Sequence, residues 1–361
     1  MVKRKVAVLG GGNGSFAGVV DAVEAGHEVT WWRRDKGSFG AVYDSRTLTV
    51  IDHDGQRSVA VNPTDNIGAA IQGAELILVP TPATAQADIA KALAPHLVDG
   101  QIIYLPPGTF GSYLMMSEIR KAGCDAKIAI AETGTLPWLC RKQDEATVRI
   151  STRASRLPTG VFPRTMHDAA LAVISDVFEG AIEPVEDALS GALMNAGPII
   201  HPPLILMNAG PIEHFDSWDI HNEGTQPSIR AIHHALDAER IAIREALGYG
   251  APHFPLDDHY TTSNWMYGNL AHDKLVDSGD WHEKLNLTDH RYMTEDVAFG
   301  LAFLVSVGKW ANVPCPVAQG LLALAEAIND ADFSQTGRSL GNLGLDGLSR
   351  AEMSEMLERG V

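Results

Sequence analysis

The sequence of 361 residues is short of several things, and each shortage removes a class of protein. It has three cysteines, Cys124, Cys140 and Cys315, an odd number without CxxC spacing, which excludes a disulfide framework or a zinc knuckle. No run approaches the roughly 18 apolar residues of a membrane-spanning helix. Positive charge is scarce: 28 Lys and Arg face 45 Asp and Glu, leaving a formal charge of −17. Such a surface repels nucleic acid and anionic membrane, although a small anionic substrate responds to a local arginine rather than to net charge. No apolar h-region follows Lys3-Arg4-Lys5, so no signal peptide is read there and a cytoplasmic protein is expected. There is no HExxH, P-loop, G-x-S-x-G elbow or EF-hand loop, and no metal is expected. A polar low-complexity tract is missing too. At 45% hydrophobic and 20% charged the chain is ordinary globular protein, long enough for two domains with a core each.

The first half carries the clearest pattern, "KVAVLGGGNGSFAGVVDAVEAGHEVTWWRRD". An apolar strand stops at Gly10, glycines follow at 11, 12 and 14, an amphipathic helix ends near Gly26, and a second strand closes the unit. In that context a Gly-rich turn predicts dinucleotide binding. Gly10 makes the tight turn, Gly12 admits a pyrophosphate, Asn13 and Gly14 open the helix, and small Ser15 stands at the third glycine position. Users of NAD commonly place an acid about 20 residues later for the ribose 2′-hydroxyl, but this chain has Arg33 and Arg34 there. Guanidinium groups suit a 2′-phosphate, so NADP(H) is expected over NAD(H), with Asp35 as a late acid in the opposing reading. Three more apolar runs end in small-residue loops, placing Pro82, Gly108 and Thr133 beside the cofactor. "TLTVIDHDGQRSVAVNP" predicts a hairpin around Asp54-Gly55.

Beyond "AIEPVED" the period changes from strand to helix, which sets an α/β dinucleotide-binding domain over 1–185 and an all-helical domain over 186–361 with a cleft expected between them. Here one phrase occurs twice, Asn195-Ala-Gly-Pro-Ile-Ile-His201 and Asn208-Ala-Gly-Pro-Ile-Glu-His214. The interval is too short for a structural repeat. His201 lies among apolar residues before a double proline, which predicts a break between helices at that point. His214 falls in a polar, acidic stretch that reads as a loop, so a shared metal is not expected. Thr294 reads as an N-cap, setting Glu295 and Asp296 in the first turn of a helix. The remaining histidines of this half, with Trp265 and Trp281, read as core and surface groups.

"GGGNGS", "NAGPIIHPP", "DAERIAI", "RYMTEDVAFGL" and the tail "GRSLGNLGLDGL" together resemble the opine dehydrogenase family, the octopine and nopaline dehydrogenases with bacterial N-(1-carboxyethyl)norvaline dehydrogenases nearest in length and pattern. The likeness covers essentially the whole chain. It implies a Rossmann-type domain followed by a helical substrate and dimerisation domain, and reductive condensation of an amino acid's amine with a 2-oxo acid by NAD(P)H. It also implies a catalytic His201 partnered by Asp296, with Asn195 and Arg291 at the substrate; the apolar helical domain itself makes a homodimer the expected assembly. Arg33 departs from the acid typical of NAD users, and Thr109-Phe110 from the octopine dehydrogenase loop. Two rivals stand beside this reading. Ketopantoate and glycerol-3-phosphate reductases share the first half but rely on a lysine in the helical domain. A non-catalytic NADP(H) sensor would have no need of an acid–base histidine.

Overall fold

The computed structural model describes residues 2–268, 271–279 and 281–361. The chain falls into two compact units, one running to Ala192 and taking in Ser354–Val361, the other Leu193–Met353. The first is built on strands β1 (Lys5–Leu9), β2 (Glu28–Trp32), β3 (Thr47–Asp52), β4 (Gly55–Ala60), β5 (Pro63–Thr64), β6 (Leu76–Leu78), β7 (Ile102–Leu105), β8 (Ala129–Thr133), β9 (Trp138–Lys142), β10 (Thr147–Arg153), β11 (Leu157–Phe162) and β12 (Ile182–Pro184). Its main sheet runs β12-β11-β8-β7-β6-β1-β2-β5. From β5 to β8 all pairs are parallel, and β11 joins antiparallel to β8. The parallel part has the doubly wound order, whose direction of winding reverses between β1 and β6; ligands bind at that switch point, outside the carboxyl ends of the strands.

Strands buried on both faces need continuous apolar runs, and β1, β6 and β7 supply them: Val6, Ala7, Val8, Leu9, Leu76 to Leu78 and Ile102 to Leu105 are all buried. Helices α1 (Asn13–Glu24), α2 (Gln86–Leu93), α3 (Gly111–Lys121) and α4 (His167–Val177) belong to this unit. The Asp54-Gly55 hairpin forms as β3 and β4, and grows into a second sheet, β4-β3-β10-β9, packed on α1. Strands β9 to β12 are a finding that the sequence reading did not contain. The last residues of the chain return to this unit, where Glu358 pairs with Arg164 at 3.0 Å.

The second unit contains α5 (Gly197–Met207), α6 (Pro227–Ala246), a π-helix over Tyr292–Leu301, α7 (Ala302–Ala311) and α8 (Pro316–Asn329). No helix among the described residues is long and apolar enough to cross a membrane. Helix α6 carries Asp237, Glu239 and Arg240 of the "DAERIAI" motif, and all three are structural ties. Arg240 bonds Asp237 at 2.6 Å and the carbonyls of Leu193 (3.1 Å) and His253 (2.8 Å). Glu239 accepts from Val317 N (2.7 Å) and Ala318 N (2.9 Å), covering free amides at the start of α8.

Two local expectations are corrected here. His201 does not lie at a break: α5 continues through Pro202 and Pro203. Each proline removes one backbone donor, yet both rings are buried, and apolar packing holds the helix. Nor is Thr294 an N-cap. The π-helix begins after Arg291, and Thr294 lies inside it with its hydroxyl turned back to the His290 carbonyl, the usual habit of an in-helix threonine. Asp296 therefore sits one turn deeper than expected. Gly300 explains how close the two helices come: a Cβ there would overlap Pro198 Cγ, so only glycine allows this approach.

Candidate active site

In the first unit the Gly-rich loop leaves β1 at the switch point. Gly10 has φ +116°, a region that L side chains rarely adopt, and a Cβ on it would stand 2.8 Å from both Ser15 Oγ and Thr81 Cγ2. Trp31 in β2 pins the turn by donating its indole Nε1–H to the Gly10 carbonyl at 2.7 Å. Gly14 is crowded, with Leu136 Cδ1 2.6 Å and Pro80 Cβ 3.1 Å from where its Cβ would be. Gly12 faces open space and precedes α1 without a side-chain cap. A buried hydroxyl, Thr81 Oγ1, has no hydrogen-bond partner among the described residues. An uncapped helix start, a glycine open to solvent and an orphaned hydroxyl at the switch point fit a dinucleotide pyrophosphate.

The other residues expected at the cofactor divide. Arg33 lies across Gly11, with Cζ 2.6 Å and Nη2 2.7 Å from the position of a Cβ there. Arg34 is exposed. Asp35 is occupied as a cap, accepting from Gly37 N at 3.1 Å. Asn13 uses its Oδ1 to accept the Lys142 amide at 3.0 Å. Ser15 is fully buried at the start of α1. Pro82 is exposed in the loop after β6. Thr133 is not in a loop: it ends β8, wholly buried, its hydroxyl donating to the Pro158 carbonyl at 2.8 Å to bind β8 to β11. Gly108 presses on Glu132, a buried carboxylate missed in the sequence reading. Glu132 accepts from Phe110 N (2.7 Å), Ser112 N (3.2 Å) and Ser112 Oγ. It thereby anchors a loop in which Thr109 (φ 55°) and Phe110 (φ 60°) are both left-handed. A lone acid in the apolar run "KIAIAET" was the available signal.

In the second unit His201 Nδ1 and Asp296 Oδ2 are 2.8 Å apart, with side-chain exposures of 20% and 8%. A carboxylate only accepts, so His201 Nδ1–H is the donor in this contact. No partner for Nε2 is found among the described residues. Tyr292 stacks on the imidazole, centroids 3.7 Å apart and planes 8° from parallel. The Tyr292 hydroxyl in turn meets His221 Nε2 at 2.9 Å. Burial pushes the pKa of His221 well below the ordinary value, so it stays neutral. The sequence reading held His221 only as one of the core and surface histidines, and gave no role to Tyr292 within "RYMTEDVAFGL".

Asn195 is buried and accepts from Gly197 N at 3.0 Å, which starts α5. Arg291, just before the π-helix, is exposed and pairs with Glu295 at 3.0 Å. The doubled phrase now has a physical reading, because each copy begins a helix: Gly197–Met207 and the short Ala209–His214. His214, expected in a loop, closes that short helix and is exposed. The copies differ at glycine. A Cβ on Gly197 would overlap Asp296 Oδ1, whereas one on Gly210 would meet nothing within 4 Å.

Residues 184–329 match the family model described as NAD/NADP octopine/nopaline dehydrogenase, alpha-helical domain. A curated opine dehydrogenase of Arthrobacter sp. (strain 1C) is 30% identical over 99% of this chain and 100% of its own length. Among solved structures, octopine dehydrogenase with NADH and pyruvate superposes with a TM-score of 0.72 at 20% identity, covering 98% of each chain. Yersinopine dehydrogenase with NADP+ gives 0.68 at 15% identity, covering 99% of this chain and 98% of its own.

Proposed function

The chain belongs to the opine dehydrogenase family, and on that premise we propose that it condenses the amine of an L-amino acid with a 2-oxo acid, reducing the product with NADP(H) in preference to NAD(H). It is an oxidoreductase acting on a CH–NH donor, from a family that uses NAD or NADP. The observation that carries the reading is the His201–Asp296 pair, stacked on Tyr292 and open at Nε2.

His201 takes a proton at Nε2 as the amine attacks the oxo carbon, and returns it as water leaves. Asp296 holds the imidazole in the Nδ1–H tautomer and stabilises the imidazolium while the proton is on loan. Arg291 offers a planar fork to a substrate carboxylate, exchanging its surface pair with Glu295 for the ligand. Asn195 keeps the start of α5 in place beside that carboxylate. Gly10, Gly12, Gly14 and Ser15 shape the pyrophosphate cradle, and Arg33 and Arg34 stand where a 2′-phosphate arrives. When bound there, the nicotinamide cofactor supplies the hydride.

The test is NADPH oxidation by the purified protein with a panel of amino acids, each paired with pyruvate, oxaloacetate or 2-oxoglutarate. Turnover is expected only when amine and oxo acid are both present. Turnover on an oxo acid alone would assign the protein to the hydroxy-acid reductases. Silence across the panel, with NADPH still bound, would favour a sensor. His201→Ala should lose most turnover and keep NADPH binding.

A further inference from the structure

Arg33 is not the only cation on the Gly-rich loop. Lys142, the last residue of β9, reaches the same place from the small sheet. Its Nζ lies 3.4 Å from the Gly11 carbonyl and 4.7 Å from the centroid of the Phe16 ring. Its backbone amide is fixed by Asn13 Oδ1 at 3.0 Å, so the strand end cannot drift from the loop. Arg33 closes the other side of Gly11, packed 5.3 Å from the Phe39 ring centroid. Neither cation has an ion pair within 4 Å among the described residues, although the chain carries an excess of acids. Among the described residues the carboxylate acting on Arg33 is that of Asp35, already engaged as a cap. Burial depresses the pKa of Lys142, and the charge of Arg33 depresses it further. Two partly buried like charges placed together without counter-charge are costly unless an anion completes the set.

We propose that Lys142 and Arg33 bracket Gly11 as a two-cation site for the ribose 2′-phosphate, and that Lys142 is a specificity-determining residue for NADP(H). The position follows from the fold. The residue after β2 attends the adenosine ribose, and here that residue, Arg33, lies across Gly11. A dianionic phosphate there accepts from a planar guanidinium on one side and a point-charge ammonium on the other. The small sheet thereby acquires a role: it delivers a lysine to a loop that the main sheet furnishes only with Arg33.

This inference rests on the dinucleotide reading above, and the experiment keeps the two apart. Binding of NADP+, NAD+ and 2′,5′-ADP to the full chain is measured by calorimetry for the wild type, Lys142→Met, Lys142→Arg and Arg33→Ala. Methionine keeps a long apolar side chain at this position and the backbone tie to Asn13. Lys142→Met should weaken 2′,5′-ADP and NADP+ roughly ten- to hundredfold, as expected for losing one charge-assisted bond, and change NAD+ less than about threefold. Lys142→Arg should restore most of the loss. In the wild type, 2′,5′-ADP affinity should fall steeply with salt, and less steeply in Lys142→Met. Equal weakening of NAD+ and NADP+ by Lys142→Met would overturn the proposal by assigning Lys142 to the pyrophosphate or to loop packing. Unchanged affinity for all three ligands would overturn it as well. A wild type that binds neither dinucleotide would instead refute the dinucleotide reading, and the bracket with it.

Discussion

Adding one methyl group at Gly197 should disable the second unit's His–Asp pair without unfolding it. The Cβ of Gly197→Ala would overlap Asp296 Oδ1 and come within 3.3 Å of Asn195 Oδ1. The first obstacle is the tip of a side chain, which can swing aside, so the backbone need not move. Relief requires the carboxylate to retreat about 1 Å, which stretches a 2.8 Å contact to His201 beyond about 3.6 Å, where it no longer counts as a hydrogen bond. Losing a charge-assisted bond of this kind costs about 1.5–3 kcal/mol, and in a transition state that is roughly ten- to hundredfold in rate. Stability should fall only modestly, since alanine is favoured over glycine in a helix by up to about 1 kcal/mol, which offsets part of the lost bond. The assay is kcat for NADPH oxidation with the best substrate pair, run beside thermal melting, with Asp296→Asn for comparison. A fall in kcat approaching that of Asp296→Asn, with Tm lowered by no more than a few degrees, is the expected result. Wild-type kcat would refute the reasoning, because it would mean that His201 functions without Asp296. A Tm lowered by many degrees would refute it differently, by placing the damage in folding.

Further predictions concern the rest of that unit. Burial lowers the pKa of His233 to about 4 and of His259 to about 3, and holds that of His221 well below the ordinary value. The unfolded chain binds protons at these residues below about pH 6.5 while the folded chain does not, so stability is complete above that pH and falls as the medium is acidified towards 4. At pH 5.5 the loss is of order 1 kcal/mol for each of His233 and His259, with His221 acting in the same direction, and melting should occur several degrees lower than at pH 7.5; a Tm constant over that range would show that the three are not buried neutral. Tyr292→Phe keeps the stacked ring and should leave kcat within about threefold, whereas Tyr292→Leu should lower it by up to about tenfold; equal effects would mean that the hydroxyl, through His221, is what matters. Arg291→Ala should raise the KM for the oxo acid with little change in kcat, and no change in KM would refute the carboxylate clamp.

How much of this could be read from the sequence depended on whether the cause was local. Gly10 is dictated by backbone geometry within one strand–turn–helix unit, and the glycine pattern reports that directly, whereas the side chains that crowd Gly14, those of Leu136 and Pro80, come from far along the chain. His201 stood out because a polar ring among apolar residues needs a partner, but the partner's position did not follow from spacing. Reading Thr294 as a cap placed Asp296 a turn too early. The π-helix that moves it is fixed by packing on α5 through Gly300 and Pro198, and no local propensity encodes that. Likewise the proline rule failed at His201 because burial of both rings outweighs two missing amide donors. In β10, Val148 and Ile150 alternate inward, but the run is short and charged, and its pairing with β3 spans about a hundred residues of chain. Lys142 was invisible for the same reason: its neighbour Gly11 lies more than a hundred positions away.

One tie in the first unit has an optical consequence. Trp31 is wholly buried, held edge-on between Phe16 and Phe39, and its indole N–H ends on the carbonyl of Gly10. Indole emission responds to the polarity and hydrogen bonding of that N–H. Any phosphate that shifts the turn or draws charge towards it must therefore change the light emitted from the adjacent strand. The protein carries a built-in reporter, one hydrogen bond from the turn residue it watches.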